Sequence, residues 1–196
     1  MDKKYELTDE KVTINDSILY RIRAIRSFSN IRAGDLGGFI ESEDNLSHDG
    51  NCWVSGNVQI SGDAHVYGDA RVYQKAQISG NARVFGSVRV FGNARIHQNA
   101  HIFECSRVSG SARVYGHAHV YGHVWVSDMA QIYGSSWISE NARVFGNTRV
   151  YGDARVCGDA WVSDHTMLCS SIWNETIRRG DKWYVISTTL RKILME

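Results

Sequence analysis

The sequence contains no proline, no closely paired cysteines and no long apolar run. Without proline, the turns must come from other residues, and the 18 glycines are the natural candidates. The four cysteines, Cys52, Cys105, Cys157 and Cys169, form no CxxC pair, so they indicate neither a disulfide framework nor a zinc site. We therefore expect reduced thiols.

Strong charge of either sign is also missing. The net charge is +1, so the overall field of the molecule neither attracts nor repels polyanions strongly. No apolar stretch approaches the roughly 18 residues of a membrane-spanning helix. The N-terminal stretch MDKKYELTDE is too charged for a signal peptide. We expect a soluble, cytoplasmic protein with no membrane partner, built as one domain or one elongated unit.

What the sequence has instead is an unbroken six-residue repeat. It runs from GNCWVS at residue 50 to DHTMLC at residue 169, which is 20 hexads without an insertion. The first position is Gly in 14 hexads, the third is Ala in 12, and the fifth is Val or Ile in 19. The fourth position never carries an acid. Such a fixed period is typical of a solenoid.

The order of residue types within a hexad predicts a parallel β-helix. Side chains alternate along a strand, so the third and fifth positions point inward while the fourth points outward. Gly followed by Asn, Asp or Ser supplies a corner, because Gly accepts a positive φ. Three hexads then close one triangular coil of 18 residues, and the repeat gives between six and seven coils. A flat sheet would require hairpins of reversed polarity, and the repeat never reverses.

Two features of the sequence resemble known proteins. The pattern Val/Ile-x-x-Asn/Asp-Ala-x resembles the hexapeptide-repeat superfamily, which implies an all-β fold, a left-handed parallel β-helix. The segment LYRIRAIRSF…GDLGGFIESEDNLS…GNCWVSGN is similar to the N-terminal signature of phage and prophage hexapeptide proteins, including YdcK-like proteins that carry a transferase label. One departure is that the residue after the aliphatic one is aromatic in ten hexads.

A solenoid needs capped ends, because both ends expose apolar interior and unpaired backbone. We predict an N-terminal cap over residues 1–49, the β-helix over 50–169 and a C-terminal cap over 170–196. The C-terminal cap combines a hairpin turning at Arg-Gly-Asp with a short amphipathic helix over residues 188–196.

Residues 18 apart should stack on one face about 4.8 Å apart, which sorts the fourth positions into three columns. The first column is Trp53, Arg71, Arg89, Arg107, Trp125, Arg143 and Trp161. The second column is Gln59, Gln77, Arg95, Arg113, Gln131, Arg149 and Met167. The third column is His65, Arg83, His101, His119, Trp137 and Arg155. Although the net charge is near zero, the columns therefore predict basic faces, with acidic residues at the corners.

The stacked arginines Arg71, Arg89 and Arg107 have two interpretations. Two charges about 5 Å apart repel by about 0.8 kcal/mol in water and about 3 kcal/mol at an effective dielectric of 20. Splayed side chains and corner acids would relieve this repulsion in a solvated ladder. Alternatively, a phosphate-bearing ligand or an acidic partner bridges the guanidinium groups. Trp53 and Trp125 then offer rings on which a nucleobase stacks.

The third column adds further predicted ligand contacts and a predicted interface. Arg83, His101 and His119 are the added ligand-binding candidates. Beside them, Tyr67, Phe85, Phe103 and Tyr121 form an apolar stripe that predicts an oligomer interface. The superfamily resemblance implies a homotrimer with ligands between adjacent subunits.

These features support three functional hypotheses. The first is a non-enzymatic oligomer that captures a small, phosphorylated, nucleotide-like ligand between subunits. The phage resemblance adds that the ligand is a host defence signal, sequestered by the protein. The second is an acyltransferase that uses acetyl-coenzyme A, with His101 or His119 as general base. The third is a purely structural scaffold. We expect no resident cofactor or metal and do not favour nucleic acid, although three His from two subunits leave a zinc site open.

Overall fold

The chain folds into stacked, parallel β-coils. The structure is a computed structural model that describes residues 2–163 and 165–169, together with the strands Thr176–Arg179 and Lys182–Val185. Each hexad forms one two-residue strand, made by its fourth and fifth positions. Among the described residues, no helix is long and apolar enough to cross a membrane. The predicted parallel β-helix is confirmed, whereas its handedness stays a prediction.

The strands form three faces, and residues 18 apart are paired in register on each face. Arg89, for example, pairs with Arg71 on one side and with Arg107 on the other. The predicted columns are therefore confirmed, and we name each face after its first hexad residue.

The strands of the Trp53 face are Trp53–Val54, Arg71–Val72, Arg89–Val90, Arg107–Val108, Trp125–Val126, Arg143–Val144 and Trp161–Val162. Those of the His65 face are His65–Val66, Arg83–Val84, His101–Ile102, His119–Val120, Trp137–Ile138 and Arg155–Val156. The hexad strands of the Gln59 face are Gln59–Ile60, Gln77–Ile78, Arg95–Ile96, Arg113–Val114, Gln131–Ile132, Arg149–Val150 and Met167–Leu168.

The core is a column of small and β-branched side chains. The Ala residues of the third positions and the Val and Ile residues of the fifth positions are at most 2 % exposed. Three third positions carry a buried hydroxyl, and each donates to the carbonyl three residues earlier: Ser106 to Phe103, Ser136 to Tyr133 and Thr148 to Phe145. The hydroxyls are tolerated inside because they are hydrogen-bonded locally.

The corners take the left-handed backbone conformation at the first hexad position, as the glycine pattern predicts. Five non-glycine residues share this conformation: Gln74, Gln98, Glu104, Asp128 and Glu140. Each of the five has glycine 18 residues before it and 18 residues after it. The side chains of Gln74, Gln98 and Asp128 reach the next coil and accept from the backbone N–H of its glycine, at 2.6, 2.7 and 3.0 Å.

The N-terminal segment extends the Gln59 face with three strands: β1 (Tyr5–Ile14), β2 (Ser17–Ala24) and β3 (Leu36–Ile40). The β1–β2 and β2–β3 pairs are antiparallel, and β3 then pairs in parallel with Gln59–Ile60. The parallel stack thus begins near Leu36, earlier than residue 50. The periodicity misses this first partial coil because Ile40 pairs with Ile60, an offset of 20 instead of 18.

The two extra residues lie between Leu46 and Trp53, because Leu46 still pairs with Val66 at an offset of 20 whereas Trp53 pairs with Arg71 at an offset of 18. A short 3-10 helix, Glu43–Asn45, forms the corner before Leu46. The buried Asn45 side chain accepts from the N–H groups of Glu41 and Ser42 and donates to the carbonyls of Gly62 and Ala64. These bonds satisfy the amide fully and attach the partial coil to the first complete one.

At the other end, Thr176–Arg179 pairs in antiparallel fashion with Lys182–Val185, as predicted for a hairpin at Arg-Gly-Asp. The helix predicted over residues 188–196 lies outside the described residues.

Replacing a corner glycine by alanine should destabilise the solenoid for two separable reasons. Gly134 has φ +73, and an added Cβ would lie 2.6 Å from the backbone N of Gly152. Gly34 has φ +94 but no atom within 4 Å of an added Cβ. A left-handed alanine costs about 1–2 kcal/mol. Gly134→Ala should cost at least about 1 kcal/mol more than Gly34→Ala, because it adds the steric contact. Denaturant unfolding of both variants measures this difference, and equal losses would contradict the close-packed corner.

Candidate functional site

The Trp53 face brings Arg71, Arg89 and Arg107 onto successive coils. The ion pairs of the described residues all lie in the first 48 residues, namely Lys3–Glu43, Arg21–Glu10, Arg23–Glu6 and His48–Glu43. No described carboxylate therefore lies within 4.0 Å of a guanidinium group on the hexad faces. These arginines therefore lack a direct ion pair among the described residues, and relief of their repulsion by corner acids at longer range stays a prediction.

The corner acids bond to neighbouring asparagines instead. Asp69 accepts from the amide of Asn51, and Asp159 accepts from that of Asn141, both at 3.0 Å. These carboxylates are held along the corners of the coils. The positive charge of the Trp53 face therefore remains available to an external anion.

The arginines of the Trp53 face differ in their side-chain contacts. Arg71 donates to the Ser29 hydroxyl at 2.8 Å. Arg107 and Arg143 lie over the Trp125 ring, with guanidinium-to-centroid distances of 4.9 and 5.4 Å. Within the described part of the chain, the Arg89 side chain has no hydrogen-bond, ion-pair or ring partner.

The two tryptophans predicted to stack on a ligand are occupied by the protein. Trp53 is only 3 % exposed and packs edge-on against Tyr5 and Phe28, at 6.4 and 5.5 Å between centroids. Trp53 thus lies beneath the N-terminal segment, where it lines a groove of about 480 Å³ on this face with Arg71 and Arg89. Its role as a ligand contact stays a prediction. Trp125 is 45 % exposed, but Arg107 and Arg143 lie over its ring.

A groove of about 620 Å³ lies along this face, and we call it the arginine groove. Its lining comprises Ser87, Arg89, Cys105, Arg107, His123, Trp125, Asn141, Arg143 and Asp159. The sequence prediction missed Arg143, although it lies in the same column as Arg107. It also missed His123, which is at a corner. The sequence analysis assigned the corner residues only to turns. The hexad pattern does not indicate which corner residues border a groove.

The remaining predicted ligand contacts lie on the His65 face. Arg83 pairs in register with His101, which pairs with His119. The structure therefore divides the predicted ligand set between two faces of one chain, and Arg83 lines a separate groove of about 580 Å³ with Asp49, Asp63 and His65.

The predicted site histidines of the His65 face, His101 and His119, have different environments. His119 Nδ1 lies 2.9 Å from the His117 carbonyl oxygen, which requires a proton on Nδ1 and leaves Nε2 unprotonated in the neutral ring. His119 also stacks on Trp137 at 4.6 Å. Partial burial lowers the pKa of His101, and the neighbouring His119, Arg83 and His117 add to the effect. His101 is therefore neutral near pH 7.

The predicted interface residues stack on one another. The centroid distances from Tyr67 to Phe85, from Phe85 to Phe103 and from Phe103 to Tyr121 are 4.7, 5.1 and 4.9 Å, with interplanar angles of 3–5°. All four rings are half-buried. The stripe is thus less open than the sequence suggests. The large exposed apolar side chains of the hexad region are Trp125, Met129, Trp137, Trp161 and Met167.

Within residues 2–163 and 165–169, no three His, Cys, Asp or Glu side chains converge as metal ligands would. Three of the described cysteines are Cys52, which is buried, and Cys105 and Cys169, which are exposed. Cys105 is the only one of them that lines the arginine groove.

Comparison with protein-family models matches three segments, residues 58–74, 76–90 and 148–164, to the YdcK beta solenoid repeat. The parallel coils and their 18-residue register agree with this match. The chain is a β-solenoid repeat protein of the YdcK type. The matched segments of this YdcK-type solenoid include Ser87, Arg89 and Asp159 of the groove, and the other lining residues lie outside these segments. No curated protein matches the chain.

Proposed function

We propose that this YdcK-type solenoid is a non-enzymatic binding protein that captures a small phosphate-bearing ligand in the arginine groove. The observation that carries the proposal is the convergence of Arg89, Arg107 and Arg143 on one groove without a carboxylate partner among the described residues. Planar guanidinium forks match the oxygens of phosphate, and hydrogen bonds to charged groups are the stronger ones.

A nucleotide is one ligand of this class, and the sequestration of a host signal remains a hypothesis attached to it. The structure does not favour base stacking on Trp53, which is buried. A base would have to displace Arg107 or Arg143 to reach a face of Trp125. The phosphate groups are therefore the part of the ligand that this groove supports best.

Replacing Arg107 by glutamine should weaken binding of ATP and of inorganic pyrophosphate at least tenfold. The change removes one charge-assisted fork, worth about 1.5–3 kcal/mol. Arg113→Gln is the matched control, because Arg113 holds the same hexad position on the Gln59 face. Isothermal titration calorimetry gives both affinities. Equal losses in the two variants would indicate a diffuse basic surface and would remove the groove from the proposal.

Self-association is the second element of the proposal, with a homotrimer as the assembly that the superfamily resemblance implies. Met129 is 57 % exposed and Trp137 is 40 % exposed on the hexad region. Large exposed apolar side chains are frequent at contacts between copies.

Light scattering at micromolar concentration should therefore give the mass of an oligomer, larger than the 22.1 kDa of one chain. Replacing Trp137 by glutamine should lower that mass if the His65 face is the contact, whereas Arg113→Gln should leave it unchanged. A wild-type mass of 22.1 kDa would eliminate any ligand site between subunits.

A second candidate function is acyl transfer from acetyl-coenzyme A, with His119 as general base. The hydrogen bond from His119 Nδ1 to the His117 carbonyl supports it, because it orients the ring and leaves Nε2 able to accept a proton. Against it, the hexads contain no extruded loop that would build an acceptor pocket.

If acyl transfer occurs, His119→Ala should lower kcat at least a hundredfold, because general-base catalysis contributes about 10²–10⁴. His97→Ala, directly after the strand Arg95–Ile96 of the Gln59 face, is the control. Release of free coenzyme A across a panel of amine and hydroxyl acceptors is the measurement. Equal turnover in wild type and His119→Ala would exclude this residue as the base.

A further inference from the structure

The upper part of the Trp53 face is an alternating ladder of cations and rings. Arg107 lies 4.9 Å from the Trp125 centroid, and Arg143 lies 5.4 Å from Trp125 and 4.8 Å from Trp161. We call these four residues the Arg–Trp ladder. Trp125 separates two cations, Arg107 and Arg143, and both cations gain the attraction of a ring face.

The ladder holds the guanidinium groups in fixed positions. A guanidinium that lies over a ring is restricted in position, and both Arg107 and Arg143 line the groove. Their forks are thus positioned before a ligand arrives, and less side-chain freedom is lost on binding. Arg89, one coil before Arg107, adds a cation that has no partner among the described residues.

The spacing of these cations excludes a compact ligand. Arg89 and Arg107 are one coil apart, about 4.8 Å, whereas Arg107 and Arg143 are two coils apart, about 10 Å. A single phosphate group can contact Arg89 and Arg107 together, but it cannot also reach Arg143. A ligand that uses all three forks must extend about 15 Å along the axis of the solenoid.

The aromatic rings of the groove offer no open platform for a base. Trp125 has guanidinium groups stacked on it, and Trp161 has Arg143 on it. Binding of single-stranded nucleic acid usually combines a basic track with rings on which bases stack. The groove has the basic track, but its rings serve to hold the arginines.

We propose that the ligand of the arginine groove is a linear polyphosphate chain that runs parallel to the solenoid axis and bridges Arg89 and Arg107 to Arg143. This inference rests on the proposed function and specifies its ligand class. His123 contributes a further nitrogen donor at the side of the groove. The Asp159 carboxylate marks the end of the track near Arg143, because it repels phosphate and is already held by Asn141.

The test is a comparison of chain lengths on wild type and four variants. Inorganic phosphate, pyrophosphate, tripolyphosphate and a longer linear polyphosphate of defined length are titrated by calorimetry at one fixed salt concentration. Affinity should rise with each length until the chain reaches Arg143. Arg107→Gln should weaken every member at least tenfold. Arg143→Gln should weaken only the longer chains, by a similar factor.

Arg149→Gln is the control, because Arg149 holds the same hexad position on the Gln59 face in the coil of Arg143. Arg143→Lys is a second variant, which retains the charge but loses the fork and should restore only part of the affinity. Circular dichroism of each variant confirms that it is folded before its affinity is interpreted.

Alkylation of cysteine gives an independent readout at the groove. Cys105 lines the arginine groove and is exposed, and Cys169 is exposed outside it. The longer polyphosphate should slow the modification of Cys105 by iodoacetamide severalfold and leave Cys169 unchanged, as read by mass spectrometry. Equal protection of both thiols, or of neither, would overturn the placement of the chain.

The remaining outcomes separate the two proposals. Absence of binding for every phosphate compound would reject the proposed function together with this inference. Binding that is independent of length, with Arg143→Gln equal to wild type, would overturn the polyphosphate chain but retain the phosphate site. Single-stranded DNA binding more tightly than polyphosphate of the same charge would overturn the inference in favour of nucleic acid.

Discussion

The constraint on which the structure depends is the parallel backbone pairing of residues 18 positions apart. Each coil donates and accepts hydrogen bonds along its faces and corners, so the chain has no freedom to shift one coil against the next. Side chains at equivalent positions are then held about 4.8 Å apart whether or not they attract each other. Which residue types a position tolerates therefore depends on the residues above and below it in the column as well as on its own environment.

The outer columns show how the chain manages this enforced proximity. Phenyl and phenol rings at the sixth hexad position stack face to face on successive coils, as Tyr67, Phe85, Phe103 and Tyr121 do. Asparagine amides donate to the acid or amide of the following coil. Arginines are separated by indoles in the upper half of the Trp53 face. In the lower half, Arg71, Arg89 and Arg107 follow one another directly, and this uninterrupted run is where the unbalanced charge collects.

The repeat carries the architecture but leaves the environment of each site residue undetermined. Period and residue class predict the coils, the columns and the corner glycines, because each follows from backbone geometry within six residues. The burial of Trp53 depends on Tyr5 and Phe28, which lie outside the repeat, so its column alone suggests an open ring. Likewise, the occupied faces of Trp125 follow from side-chain rotamers on two neighbouring coils, which the hexad pattern does not specify.

The corner residues place a limit on how such a chain lengthens during evolution. Gln74 reaches over Gly92, and every other non-glycine corner in this conformation likewise faces glycine on both adjacent coils. A tandem duplication of the single coil that contains Gln74 would place one glutamine directly over another, where the left-handed corner has room for hydrogen alone. Copying residues 68–103, two coils together, would preserve the alternation in every column. Coils that contain a non-glycine corner should therefore be added most readily in pairs.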